Sequence, residues 1–455
     1  MMKKFTKIIL CLLLCVFGVG LVACDTRTDK EKAFTYPSSA DTTYGNGGLA
    51  VQKGDYIYFV NGYQSVADLG DDQQNASHTV GALMLMKLDG NGNIVTNEDG
   101  LLKDEYYITM SDRLNGFEAT GLFISGDYLY FTSVCEENES GDKDWAKERV
   151  EFNRIKLNKT GKVEEVYQSG VTYENLEYEY YIENGKTFIL VYEKNANIDD
   201  GNVKNKLVRV SADSKENNEI ARDVSSVGFA TSGAEIFYVK DDSENTKYFV
   251  NKYNIESNQS NQFAVETSAV TVKFVAGGNV YLSYSHGSDT DLKKSSINEA
   301  SFTVCNYQIN GYDTFDITDD GSVLVAVKGN KIYFFRGNTV AEARYIEDTD
   351  ATSIKIIGYT NGCVVYYDNN NNIKYVSYYN AVFGGDYSVQ TVATSVNGLA
   401  TTYFDLEDTY LYFYATVGSN EYLHRVKVVN NLDEEVEMVG VYLNDDVPEE
   451  ENTEE

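Results

Sequence analysis

Asp89, Asn91 and Asn93 stand at alternate positions in the stretch "DGNGNIV". Hard oxygen donors spaced in this way suit Ca²⁺. The match is partial, because Ile94 stands where a calcium loop needs glycine and no acid closes the loop on schedule. The same text is ordinary hairpin-turn chemistry. No cofactor is expected beyond this fragment of a calcium motif. Carboxylates offer a second chemistry. Glycan cleavage needs two of them flanking the scissile bond, ~5–9.5 Å apart. Glu179, Asp316 and Asp405 are the candidates, each in a run that reads as a first strand. They fall in different repeats, and spacing alone does not pair them. His78, His286 and His424 are too scattered for a triad. His286, in "HGS", reads as a surface histidine open to a ligand. Trp145 is the single tryptophan and sits in the charged stretch "EENESGDKDWAKE". It is either an anchor for a partner or sugar ring, or a cap on a sheet edge. G-x-S-x-G, H-E-x-x-H and C-x-x-C are absent. "GKT" at Gly185–Thr187 lacks the earlier glycine of a phosphate loop and leads into a strand.

The elements that must position these residues repeat. "GDYIYF" at Gly54 returns as "GDYLYF" at Gly126. Related turns followed by apolar or aromatic runs start at Gly185, Gly233, Gly278, Gly321, Gly362 and Asp408. Spacings are 72, 59, 48, 45, 43, 41 and 46 residues. A second run follows each, often with a basic residue inside, as in "FNRIKLN", "KLVRVSA" and "YLHRVKVV". Tyr, Phe, Val and Ile dominate, as strands prefer. Pro37 and Pro448, the only prolines, bracket the body and leave the ladders uninterrupted. No amphipathic helix is evident. The repeat is therefore a four-stranded antiparallel meander. Such a sheet exposes two apolar faces, which radial packing against its neighbours covers. The expected fold is an all-β propeller over residues 49–443, with eight blades, or seven if the degenerate first unit does not count. A β-sandwich array is the rival architecture.

In such blades the strand 1–2 and 3–4 turns share one face, and the 2–3 turns and 4–1 crossovers share the other. The 1–2 turns read as tight. Long excursions between strands 2 and 3 are expected at Gly62–Gly81, Cys135–Glu148, Glu193–Lys206 and Ser285–Ala300, in blades one, two, three and five. Blades six and seven turn there through "KGN" and "DNNNN". Long loops on a rigid scaffold are where binding usually resides.

The chain carries a formal charge of −32. A surface this acidic repels nucleic-acid backbones and anionic lipid headgroups. Residues 1–23 hold three of the lysines and no acid, so the chain without them is more acidic still. Lys3, Lys4 and Lys7 precede the uncharged run Ile8–Val22, which is too short to span a membrane by default. The run ends in Leu21-Val22-Ala23-Cys24, which resembles the lipobox of bacterial lipoproteins. That resemblance implies cleavage after Ala23, a diacylglyceryl lipid on the Cys24 sulfur and a location outside the cytoplasm on the cell membrane. The alternative is an ordinary signal peptide with a chance cysteine. Residues 24–48 then read as a flexible tether, and 444–455 as a disordered acidic tail. Cys11 and Cys15 leave with the signal. Cys135, Cys305 and Cys363 remain, read as small buried hydrophobes rather than a disulfide.

Lipobox, polar tether and repeated G-D-x-φ-Y-F blades together resemble the β-propeller surface lipoproteins of Gram-positive anaerobes. The resemblance implies the fold and the anchor and brings no catalytic motif. A one-membrane host fits the composition, although Asp25 after Cys24 suits retention in the inner membrane of a two-membrane cell. The expected function is a non-catalytic binding or scaffold module working through the strand 2–3 face, with an envelope protein or a glycan as partner. A glycan-processing enzyme using the channel carboxylates, or a sensor or accessory subunit of an envelope complex, are the alternatives.

Overall fold

The computed structural model describes residues 37–44, 48, 50–61, 82–94, 106–110, 121–134, 149–157, 163–172, 175–197, 203–229, 235–242, 245–306, 308–318, 321–336, 344–360, 362–383, 385–394, 402–404, 410–417, 420–427 and 436–439. The chain divides into two units, Met1–Tyr36 and Pro37–Glu455. The second is a β-propeller of eight sheets, each an antiparallel meander in chain order. Residues 1–23, expected to be a signal peptide, Cys24 and the acidic stretch 444–455 lie outside the described residues.

The recurrent "GD" or "NG" is the turn that starts the second strand. In blade 1, Gly54 and Asp55 join Ala50–Lys53 to Tyr56–Asn61, with Lys53 facing Tyr56. In blade 2, Gly126 and Asp127 join Phe123–Ser125 to Tyr128–Val134 in the same register. Gly54 and Gly126 have φ of 55° and 57°, a left-handed conformation that glycine adopts without a Cβ penalty. The second strands are apolar on both sides because each blade is covered by a neighbour on both faces. In blade 3 (strands Leu176–Glu183, Lys186–Asn197, Val203–Ser211 and Glu216–Arg222), Ile189 and Val191 pack toward blade 2. Leu190 and Tyr192 pack toward blade 4. The core is thus a ring of interblade layers. It closes where Tyr412, Leu423 and Val439 of blade 8 meet Ile57, Phe59 and Met84 of blade 1. Blade 8 supplies all four of its own strands, Thr402–Phe404, Tyr410–Val417, Asn420–Lys427 and Glu437–Val439. The ring therefore closes by side-chain packing rather than strand exchange.

The basic residue of the third strand has a repeated task. Arg154 Nη1 of blade 2 donates to the Ala212 carbonyl of blade 3 (3.0 Å), and Arg209 Nε of blade 3 to the Ile255 carbonyl of blade 4 (2.8 Å). Lys252 Nζ reaches the Ile297 carbonyl of blade 5 (3.1 Å). Arg425 Nη2 of blade 8 reaches the Gly92 carbonyl of blade 1 (2.9 Å). The first three carbonyls belong to the residue directly after the third strand of the next blade, and Gly92 lies in the turn that follows the third strand of blade 1. A charged donor satisfies each where the sheet ladder has ended, which is among the stronger hydrogen-bond types.

Three expectations need correction. The sheet of blade 1 starts earlier than residue 49, because Thr43–Tyr44 pairs with the inner edge of its first strand, inside the stretch read as tether. Glu193–Lys206 is no long loop. The second and third strands of blade 3 run on to Asn197 and from Val203, paired across a bulge that Asn195 enters at φ 55°. Ser285–Ala300 is likewise mostly strand, with Asn279–His286 and Asp289–Ser296 joined by Gly287 and Ser288 alone. That third strand hides only Leu292 and Ser295, so its text lacks the apolar alternation that marks a strand. The other two excursions, 62–81 and 135–148, lie outside the described residues. A six-residue helix, Tyr378–Phe383, follows the third strand of blade 7 and was not legible as one.

Candidate functional site

The first strands of neighbouring blades abut one another around the axis, in blades 4 and 5 (Val224–Gly228 and Val270–Ala276) and again in blades 5 and 6. Their inner edges have no further strand to pair with, so backbone groups there need other partners. In blade 1 the added strand Thr43–Tyr44 supplies them. In blade 5 the Val272 amide donates to the Ser226 hydroxyl of blade 4 at 3.0 Å, and in blades 3 and 6 a carboxylate serves. Asp316, on the first strand of blade 6 (Thr314–Ile317), accepts from the amide of Ile317 at 2.8 Å. Glu179, on the first strand of blade 3, accepts from the amide of Tyr180 in the same way. Glu179 and Asp316 thus lie on the first strands of blades 3 and 6. Asp405 lies outside the described residues.

Both acids are shifted by burial. Glu179 faces blade 4 from the strand position opposite Leu190, which is fully buried. It keeps some contact with solvent at the axis while protein crowds its other sides. Desolvation raises its carboxyl to about 7, and the Tyr180 amide offsets only part of this. The opposite face of the same strand, toward blade 2, is aromatic. Tyr180 stacks on Phe123 at 4.7 Å, and Tyr178 meets Phe152 edge-on at 5.0 Å. Burial pushes the Tyr178 phenol up to about 12. Asp316 is also raised by desolvation, opposed by the Ile317 amide and by the Tyr359 hydroxyl, which donates to Oδ2 at 2.9 Å. Tyr359 belongs to the first strand of blade 7, so this bond ties two blades together. Blades 4 and 5 separate Glu179 from Asp316. Among the described residues neither acid is bonded to a second carboxylate.

The remaining predicted residues are not gathered with these. His286 ends the second strand of blade 5 on the 2–3 side, with its side chain 46% exposed and Nε2 at 3.5 Å from Asp291. Asp89 accepts from the amides of Asn91 (2.7 Å) and Asn93 (2.9 Å) and from the Asn93 side chain (3.0 Å). The "DNNNN" turn of blade 7 makes the same three bonds from Asn370 and Asn372 to Asp368. The D-x-N-x-N text is thus a turn motif that this chain uses twice. Among the described residues no cluster of His, Cys, Asp and Glu has the arrangement of a metal site. Cys305 and Cys363 are buried free thiols, as read from the sequence. Trp145, Cys135 and Cys24 lie outside the described residues.

Sequence reasoning missed a buried polar centre between blades 6 and 7. Lys374 Nζ lies 2.8 Å from Asp348 and 3.0 Å from Asp368, and the Tyr366 hydroxyl donates to Asp348 at 2.9 Å. A lone lysine inside the apolar third strand "IKYVS" was the available signal. A smaller relative joins blades 2 and 3. There Glu193, fully buried, meets Lys206 at 3.0 Å and accepts from Tyr167 at 2.6 Å.

No protein-family model and no curated protein matches the chain. Solved propellers do. The β-propeller domain of the Trilobed protease from Pyrococcus furiosus, described as having an open velcro topology, aligns at TM-score 0.46 and 12% identity over 72% of this chain and 96% of that one. Porphyromonas gingivalis dipeptidyl peptidase 4 aligns at TM-score 0.48 and 9% identity over 87% of this chain, which spans 59% of that protein. An uncharacterized Listeria monocytogenes protein aligns at TM-score 0.40 and 10% identity over 64% of this chain and 86% of that one.

Proposed function

We propose that this chain is a lipid-anchored, extracytoplasmic propeller that works as a non-catalytic binding or scaffold module. Its working surface is the strand 2–3 side of blades 1 and 2, and its partner is an envelope protein or a glycan. One observation carries this reading. Residues 62–81 separate the second and third strands of blade 1, and 135–149 those of blade 2. The corresponding connections are 198–202 in blade 3, 243–246 in blade 4, 287–288 in blade 5, 329–330 in blade 6, 369–372 in blade 7 and 418–419 in blade 8. The two longest connections thus leave and rejoin the described strands at the 2–3 ends of adjacent blades, which supports one shared working face. Trp145 lies in the second of them. The anchor is supported by the lipobox at Cys24. The shifted acids Glu179 and Asp316 bind their own neighbours on separated blades, which supports a binding role over hydrolysis.

The test is crosslinking on intact cells that carry the full chain with a C-terminal tag, followed by pull-down. Residues 135–149 are replaced by a short Gly-Ser turn in one strain, and Trp145→Ala is made in another. A specific crosslinked protein or glycan that is lost with the insertion, and weakened by the tryptophan change, supports the proposal. A partner that persists without the insertion refutes the assigned face. Glycan hydrolysis that disappears in Glu179→Gln would replace the scaffold reading with the enzymatic one.

A further inference from the structure

We infer that the segment from Pro37 to Gly48 is an inner clasp that ties blade 1 to blade 2, and that its release loosens both blades together. These are the blades whose strand 2–3 connections, 62–81 and 135–149, are the longest, so the clasp holds the roots of both in one relation. The inference does not depend on which partner that face takes.

The clasp starts at the strand 1–2 face. Thr43 pairs with Lys53 and Tyr44 with Gln52, on the axis side of the first strand of blade 1. The Gly54 amide of that blade's turn donates to the Thr42 carbonyl at 2.8 Å. Asp41 lies against Gly54 so closely that a Cβ there would meet its carboxyl carbon at 2.9 Å. Asp41 Oδ2 also accepts from the Ser38 amide at 2.6 Å, and the Asp41 amide donates to the Ser38 carbonyl at 3.1 Å, which closes this end into a turn. The antiparallel register of Thr43 and Tyr44 points the chain along the axis toward the strand 2–3 end. Gly48 meets blade 2 there. It forms an antiparallel bridge with Leu122, whose amide donates to the Gly48 carbonyl at 2.9 Å. Leu122 stands just before the first strand of blade 2, Phe123–Ser125, at the end away from its turn. Gly48 is four positions after Tyr44, a reach of ~13 Å in extended chain, about the length of the four-residue first strand of blade 1. Among the described residues this is the only backbone bridge that lies outside the eight sheets.

A buried lysine joins the three parts. Lys53 Nζ of blade 1 donates to the Gly126 carbonyl in the turn of blade 2 at 3.1 Å. Burial pulls the Lys53 ammonium below the usual lysine range, and the charges of Asp127 in blade 2 and Asp41 in the clasp oppose that shift. Asp41 therefore holds the blade 1 turn and also offsets the charge of the lysine that reaches blade 2. The inner edge of blade 2 needs this support. Its first strand pairs with the second through three residues, Phe123 with Tyr130, Ile124 with Leu129 and Ser125 with Tyr128. The corresponding ladder of blade 3 has eight such pairs. An edge with so few ladder bonds opens readily unless something else restrains it.

The test is hydrogen–deuterium exchange of the full chain, read by mass spectrometry, in wild type and Asp41→Ala. Asp41 bonds within the clasp and packs on the blade 1 turn. Its removal should nevertheless speed exchange roughly tenfold both at Ala50–Lys53 and at Leu122–Ser125 of blade 2, the effect of losing one hydrogen bond to a charged group. Val323–Lys328 of blade 6 should exchange as in wild type. Unchanged exchange, or faster exchange in blade 1 alone, overturns the clasp. A six-residue Gly-Ser insertion after Tyr44 slackens the link to Gly48 and should confine the Asp41→Ala effect to blade 1. An effect that still reaches blade 2 assigns the coupling to Lys53 and refutes the role of the segment. Should Asp41→Ala raise exchange across all eight blades, the milder Asp41→Asn keeps an acceptor for the Ser38 amide and is read by the same comparison, with the same outcomes supporting or overturning the clasp.

Discussion

Glu179→Gln should make the protein more stable at alkaline pH and leave it unchanged at acid pH. Burial raises this carboxyl from 4.5 to about 7. Between those values the folded protein binds a proton that the unfolded chain has released. The slope of unfolding free energy against pH is therefore negative. The favourable contribution is complete below about pH 4.5 and is lost as pH rises through 7. A shift of this size corresponds to roughly 3 kcal/mol, at ~1.4 kcal/mol per pH unit. Glutamine is neutral at every pH and still offers an oxygen to the Tyr180 amide. The assay is urea unfolding of wild type and variant at pH 5, 6, 7 and 8, followed by circular dichroism. Self-repulsion of a chain with net charge −32 also varies with pH, but it is shared by both proteins and cancels in their difference. The two should lie within about 1 kcal/mol of each other at pH 5, and the variant should lead by roughly 3 kcal/mol at pH 8. Parallel curves across the series would refute the desolvated carboxyl.

Two further substitutions probe the joints between blades. Arg425→Met removes a fully buried guanidinium that binds the Gly92 carbonyl of blade 1 and Glu437 Oε2 at 2.8 Å. Glu437 is partly exposed and can rehydrate, so the expected loss is about 2–4 kcal/mol in the urea midpoint analysis. Arg154→Met should cost less, because the chain itself also joins blades 2 and 3, whereas blades 8 and 1, at opposite ends of the sequence, are held by side-chain contacts such as this one. Equal losses would remove the special weight given to the closing contact. Lys374→Met leaves Asp348 and Asp368 buried without their cation, which should destabilise by about 3–5 kcal/mol. Adding Asp348→Asn and Asp368→Asn in the same chain should recover much of this loss, and no recovery would mean that the lysine acts through packing.

The propeller was legible because its strongest signal is local and repeated. A glycine with positive φ, a polar turn residue and a doubly buried strand such as Tyr56–Val60 must be written almost alike in every blade. Strands with one wet side were less legible. The third strand of blade 5, "DTDLKKSS", buries two residues and reads as loop until its register with Asn279–His286 is seen. The same limit hid the continued pairing of blade 3 beyond Glu193. The acids of the inner strands were found by position, but their partners were not. Tyr359 lies 43 residues from Asp316, and no spacing rule links them.

The sequence by itself determined the class of fold, the number of repeats and the tight first turns. These follow from periodicity and short-range backbone chemistry, which act within a few residues. Tertiary structure alone decided how the ring closes, where the basic third-strand residues end, and that Asp316 accepts from Tyr359 of the next blade. It also decided that the chain enters beside the axis on the strand 1–2 face. Each of these depends on which blade lies next to which, and burial and long-range hydrogen bonds are settled only when the blades pack.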